Sequence, residues 1–319
     1  MLPEVAALHR SGSFVRIPPA DDVPVSDRVR RVIDTAPMRR LASISQLGMV
    51  SLVYPAATHS RFEHSLGVYH NALRLLARFS SDSEFRSLLQ PELADAFVLA
   101  ALLHDIGHWP FCHPIEDMCL SGLDEHETRL ADWLANPELA KCISKDWACD
   151  WQGIQSLIQN SPAASDPDIA SRRLLASCLS GPIDIDKLDY LERDSLHAGV
   201  PYGRNFDAGR LISSVCWNRE TNRLAIGEKG RTAAEMMVFA RYVMFSEVYW
   251  HHAVRAATAM LQRAFYLLHG DVDLDGLFRL TESEWIGSLC EAARGGPAAE
   301  LLDGLFGDRR QLYKRLGQY

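Results

Sequence analysis

The chain has 319 residues, 47% of them hydrophobic and 23% charged, with a formal net charge of -8 from 33 basic and 41 acidic side chains. This length buries a core without disulfides or a structural metal, and an acidic chain without Lys/Arg clusters is not expected to wrap nucleic acid. The seven cysteines form no CxxC pair, the opening MLPEVAALHRSGSF lacks a signal-peptide apolar run, and no stretch nears the roughly 18 apolar residues of a membrane span, so reduced thiols, a cytoplasmic setting and no membrane are expected.

Residues 1–25, with Pro18, Pro19, Asp21, Asp22 and Pro24, read as a loop segment. Apolar spacing predicts a helix over 27–47, split near Pro37 and closed by Gly48, then an irregular stretch over 50–58. A strong amphipathic helix is expected over 61–79. The next, 92–105, is apolar all round (LADAFVLAALLHD) and should be buried, carrying its terminal His-Asp into the interior. Shorter helices are expected over 125–136 and 151–159, a surface loop over 161–168, and helices over 169–180 and 184–197. Residues 215–217 and 224–226 flank Asn-Arg-Glu-Thr-Asn, which predicts one minor β-hairpin at about 215–227. Residues 232–268 read as one long helix or two, and the tail from 271 as helical. The expected class is all-α.

The histidines are clustered. His104, His108, His113 and His126 follow shortly after His59, His64 and His70. A lone buried histidine is usually a packed one, but HDIGHWPFCH puts imidazole beside carboxylate at the end of a buried helix. Asp105 there needs a cation or a salt bridge. Imidazole with carboxylate suits a divalent transition metal such as Mn, Fe, Ni, Co or Zn, with Mg a further candidate. Further on, Asp184, Asp186 and Asp189 crowd GPIDIDKLDYLERD and repel one another unless a cation or solvent relieves them.

The series VIDTAPMRRLASISQLG, YPAATHSRFEHSLGV, ALLHDIGHWPFCHPIED, GPIDIDKLDYLERDSLHAGVPYG and VYWHHAVRAATAML resembles, in the same order, the deoxynucleoside triphosphate triphosphohydrolase branch of the HD-domain metal-dependent phosphohydrolases. The resemblance spans about residues 26–265. It implies an HD-domain helical bundle over 26–268, with 269–319 a helical extension packed on it. It implies metal ligation by His64, His104, Asp105 and Asp186, and proton transfer by His108 and His126. Glu116 stands where the branch more often has Asp, and it or Asp117 would orient His126.

The resemblance further implies phosphate contacts from Arg61, His113, Lys187 and Arg241, and sugar or base contacts from Gln46, Tyr190, Asp194 and Tyr249. The implied reaction is hydrolysis of a small-molecule nucleotide, most specifically a dNTP to deoxynucleoside and triphosphate, in a homo-oligomer. Two alternatives stay open at this point: the same site acting on a monophosphate, cyclic or signalling nucleotide, and a nucleotide-sensing protein without catalysis.

Overall fold

A computed structural model describes residues 2–9, 12–123, 125–161, 168–314 and 317. Among the described residues the chain is all-α apart from two small antiparallel hairpins. Most of the loop expected over 161–168 lies outside the described residues.

The N-terminus departs from the loop expected there. A one-turn helix, Pro3–Ala7, precedes a hairpin of Phe14–Ile17 and Asp21–Pro24, in register Val15 with Val23 and Ile17 with Asp21. So there are two hairpins among the described residues, not one. Four-residue strands bracketed by prolines carry too short an alternation to be seen in sequence. Tertiary packing makes them: Val23 and Val25 are fully buried, and the Tyr69 hydroxyl donates to the Pro24 carbonyl at 2.9 Å.

The 27–47 stretch does break near Pro37, into Asp27–Ile33 and Ala36–Leu41. It stops earlier than its apolar spacing suggests. Residues 45 and 46 turn away to bond with the segment before the next helix, Ser45 bridging Ser60 and the Gln46 amide donating to the His59 carbonyl at 2.9 Å. Gly48 then takes φ 50°, the left-handed value that glycine adopts at little cost.

Helix Arg61–Phe79 has the predicted bounds and is capped by Ser60, whose hydroxyl accepts from the Glu63 amide. It crosses helix Ile185–His197 at Gly67, where any Cβ would overlap the Asp189 carboxylate and the Arg193 guanidinium. Helix Pro91–Leu103 is buried from Leu93 onward, and His104 caps its end. The helix expected over 125–136 shrinks to Leu130–Leu134, because Glu116 holds the His126 amide and ring outside it. Helix Pro137–Asp146, capped by Asn136, was not anticipated. The other middle helices are Trp151–Ile158 and Ile169–Leu179.

The second hairpin pairs Val215–Asn218 with Arg223–Ile226. Beyond it, the 232–268 stretch is two helices, Arg231–Met244 and His252–Leu268, joined by a π-helical turn at Phe245–Tyr249. Helices Glu282–Ala292 and Ala299–Phe306 pack on His252–Leu268. The Glu282 carboxylate accepts from the Ser45 amide at 2.8 Å, which ties the tail to the segment carrying Gln46. Among the described residues no helix is long and apolar enough to cross a membrane.

Candidate active site

Three helices meet at one point. His64 comes from the first turns of Arg61–Phe79, His104 and Asp105 directly follow Pro91–Leu103, and Asp186 lies in the first turn of Ile185–His197. His64 Nε2 is 3.2 Å from His104 Nε2 and 3.0 Å from Asp186 Oδ1. His104 Nε2 is 3.3 Å from Asp105 Oδ1.

The tautomers follow from the neighbours. His64 Nδ1 faces the Asp189 carboxylate at 2.8 Å, and His104 Nδ1 faces the Ala101 carbonyl at 3.0 Å. Both partners only accept, so both Nδ1 atoms donate. When neutral, the two rings then turn Nε2 lone pairs toward each other and toward two carboxylates. Such a set needs a cation. Burial opposes a charge on His64, but hydrogen bonds to Asp186 and Asp189 and the charges of Asp189 and Asp105 outweigh it and raise its pKa to about 10. A divalent ion relieves the same field, and two imidazoles with two carboxylates are a suitable donor set.

A buried network fixes this group. Arg193, fully buried, donates to both oxygens of Asp189 at 2.8 and 2.7 Å and to Glu63 at 2.6 Å, and also reaches the Pro18 carbonyl. Asp189 in turn orients His64, the carboxylate–histidine arrangement usual behind metal ligands. Asp189 drew notice in the sequence only for crowding, and Arg193 none. Their spacing was the available signal: Asp186, Asp189 and Arg193 fall at i, i+3 and i+7, one helix face. Arg40 holds the HD turn from behind, donating to the carbonyls of Ile106 and His108 at 3.0 and 2.7 Å.

A second group of imidazoles adjoins the first. His126 Nδ1 is 2.9 and 3.1 Å from the two Glu116 oxygens, so Glu116 rather than Asp117 orients it. Burial works against the Glu116 charge, but hydrogen bonds from His113 and His126 hold its pKa well below the usual carboxylate value. The His108 and His126 ring centres are 3.9 Å apart, and His108 Nε2 lies 3.3 Å from His113 Nε2. Burial, then the Arg61 charge, keep the His108 pKa well below its ordinary value.

Both groups line a cavity of about 340 Å³ together with Gln46, Arg61 and Tyr190. A second cavity of about 210 Å³ shares Gln46, Arg61 and His113 and is also lined by Tyr249 and Trp250. Arg61 Nη1 donates to Asp105 at 2.7 Å, while its buried Nε and the buried Gln46 Oε1 have no hydrogen-bond partner. Unpaired buried donors are costly and mark a place for a ligand acceptor.

Asp194 is buried, accepting from the Tyr249 hydroxyl at 2.6 Å and pairing with His59 Nε2 at 2.9 Å. Lys187 and Arg241 do not line these two cavities, though the Arg241 charge reaches Tyr190 in the wall of the first. The Lys187 ammonium is 2.7 Å from Asp184. Arg241 sits exposed on its helix, its guanidinium 5.5 Å from the Phe245 ring centre.

Residues 61–144 match the HD domain, and residues 206–318 match the HD associated region. The chain belongs to the HD-domain superfamily. HD domains bind divalent metals, and the convergent His64, His104 and Asp105 form a group that could hold one. A phosphohydrolase from Bacteroides thetaiotaomicron has a similar structure, with TM-score 0.76 and 26% identity, covering 95% of this chain and 77% of its own. An uncharacterized protein of Methanocaldococcus jannaschii is 29% identical over 93% of this chain and 58% of its own length. The deoxynucleoside triphosphate triphosphohydrolase SAMHD1 homolog of Dictyostelium discoideum is 29% identical over 76% of this chain and 46% of its own. This HD chain thus spans about half the length of the curated relatives it matches.

Proposed function

We propose that this protein is a metal-dependent phosphohydrolase acting on a nucleotide, most specifically one that converts a dNTP to deoxynucleoside and triphosphate. The observation that carries the reading is one cavity lined by the four-ligand group, the Glu116-held His126 and the Arg61 side chain. His64, His104, Asp105 and Asp186 would hold the ion, which supplies Lewis-acid polarisation of a phosphoryl oxygen. Arg61 binds phosphate oxygens through the donors not spent on Asp105. Glu116 fixes the His126 Nδ1 proton, which leaves Nε2 to take a proton from attacking water or give one to the leaving oxygen. His108 and His113 border the same proton path. Tyr190, Asp194 and Tyr249 would contact the sugar in this reading. Ile158 and Leu179 add apolar surface to the cavity wall.

The relation to triphosphohydrolases supports the choice of substrate. Self-association belongs to the same reading: Val238, Phe239 and Tyr242, at 54, 56 and 70% exposure, leave apolar surface on one helix, as interfaces do. Incubation with Mn²⁺ and each dNTP, with products resolved by ion exchange, is expected to yield triphosphate and deoxynucleoside in equal amounts. Inorganic phosphate or pyrophosphate would move the assignment to a different bond. No turnover of any nucleotide with any divalent metal would reject catalysis.

A further inference from the structure

His108, Cys112, His113 and His126 each offer a ligand atom, and the four atoms lie within 4.8 Å of one another. We propose that this quartet is a second metal site, specific for a thiophilic ion such as Zn²⁺, and that filling it shuts the enzyme off. It shares no ligand with the His64 group.

The geometry suits a tetrahedral ion. Zn–N bonds of about 2.0–2.1 Å place two nitrogens roughly 3.3–3.4 Å apart across a tetrahedron. His108 Nε2 and His113 Nε2 are 3.3 Å apart. The supporting contacts are those of ligating histidines. His108 Nδ1 lies 3.3 Å from the Asp105 carbonyl and 3.2 Å from its Oδ1. His113 Nδ1 lies 3.5 Å from Glu116 Oε2, and Glu116 also holds His126 Nδ1. All these partners accept, so His108 and His113 aim lone pairs at each other with no proton between them. The Cys112 side chain is buried beside them, whereas His113 is 61% exposed and gives an ion a way in from the cavity.

The donor sets separate the two sites. Three imidazoles and a thiolate are a soft set that takes Zn²⁺. Two imidazoles and two carboxylates are harder and suit Mn²⁺ or Fe²⁺. Four protein ligands also leave no open position for water or substrate, which is the pattern of a closed site. Binding releases the Cys112 thiol proton to solvent and occupies the lone pairs of His108 and His126. That second consequence rests on the proton-transfer role assigned to them above.

The test uses the full chain loaded with Mn²⁺. Added Co²⁺ is expected to develop a thiolate-to-cobalt charge-transfer absorption, which the His64 group cannot produce because it has no sulfur. The band should be lost in Cys112→Ser and displaced by Zn²⁺. Cys112→Ser should leave Mn²⁺-dependent turnover unchanged, while the Zn²⁺ concentration for half-inhibition rises roughly tenfold or more. His113→Gln, at an exposed position, should weaken the band without disturbing the core. A wild-type chain with no charge-transfer band, or a band that survives Cys112→Ser, overturns the site. The absorption decides this even if no nucleotide turns over, so failure of the site and failure of the proposed activity remain distinguishable.

Discussion

Asp105→Ala is expected to empty the metal site and abolish turnover. Asp105 is buried and touches Arg61 at 2.7 Å, His104 at 3.3 Å and His108 at 3.2 Å. Burial favours its neutral form, yet the charges of His108, His104, Arg61 and His64 hold its pKa well below the usual value, so it is present as carboxylate. Alanine removes a ligand and strands the Arg61 guanidinium beside the vacated position. Altering even a supporting group costs about 10–100-fold in metal affinity, so loss of a ligand should exceed that. Nucleotide hydrolysis should fall by at least about 10²–10³-fold, the scale seen when one transition-state-stabilising group is removed. Elemental analysis and steady-state kinetics on the same preparation check both effects. Asp105→Asn sharpens the comparison, because it keeps the shape and a contact for Arg61 but not the charge. Its metal content should fall with that of alanine while its thermal stability stays near wild type.

Arg193→Met should be the most destabilising single change near the site. The guanidinium is fully buried and neutralises Asp189 and Glu63 together. Methionine fills much of the volume but leaves two carboxylates without their cation, and breaking a buried pair from one side costs about 3–5 kcal/mol. Denaturant unfolding measures that loss. The consequence reaches the metal as well. Asp189 freed from Arg193 no longer fixes the His64 ring, so metal affinity should drop by about 10–100-fold in the fraction that stays folded. A variant with wild-type stability and metal content would remove Arg193 from the support of the site.

The sequence revealed more of this site than of the frame behind it. The 61–79 helix and the apolar run ending in His104-Asp105 were legible because a long periodic or uniformly apolar segment has one stable placement. Glu116 was legible as a partner of His126 only through resemblance, since no local spacing links residues ten apart. The hairpin at 14–24 was not legible, because its short strands gain stability from Tyr69 and the helix beneath them. The Lys187–Asp184 pair, three residues apart at the start of one helix, is visible only once the side chains are placed. Arg241 is an expected phosphate contact through resemblance alone, since which face of an amphipathic helix meets a cavity is decided by packing; its side chain lies exposed. The Asp189–Arg193–Glu63 network joins two helices, so its meaning appears only once Gly67 lets them cross closely.

The most direct measurement is anomalous diffraction at the manganese edge from crystals grown with Mn²⁺. One strong peak should lie within bonding distance of His64 Nε2, His104 Nε2 and carboxylate oxygens of Asp105 and Asp186. A peak bonded to other residues, or no peak at these four at saturating Mn²⁺, would contradict a metal centre built on the His104-Asp105 pair.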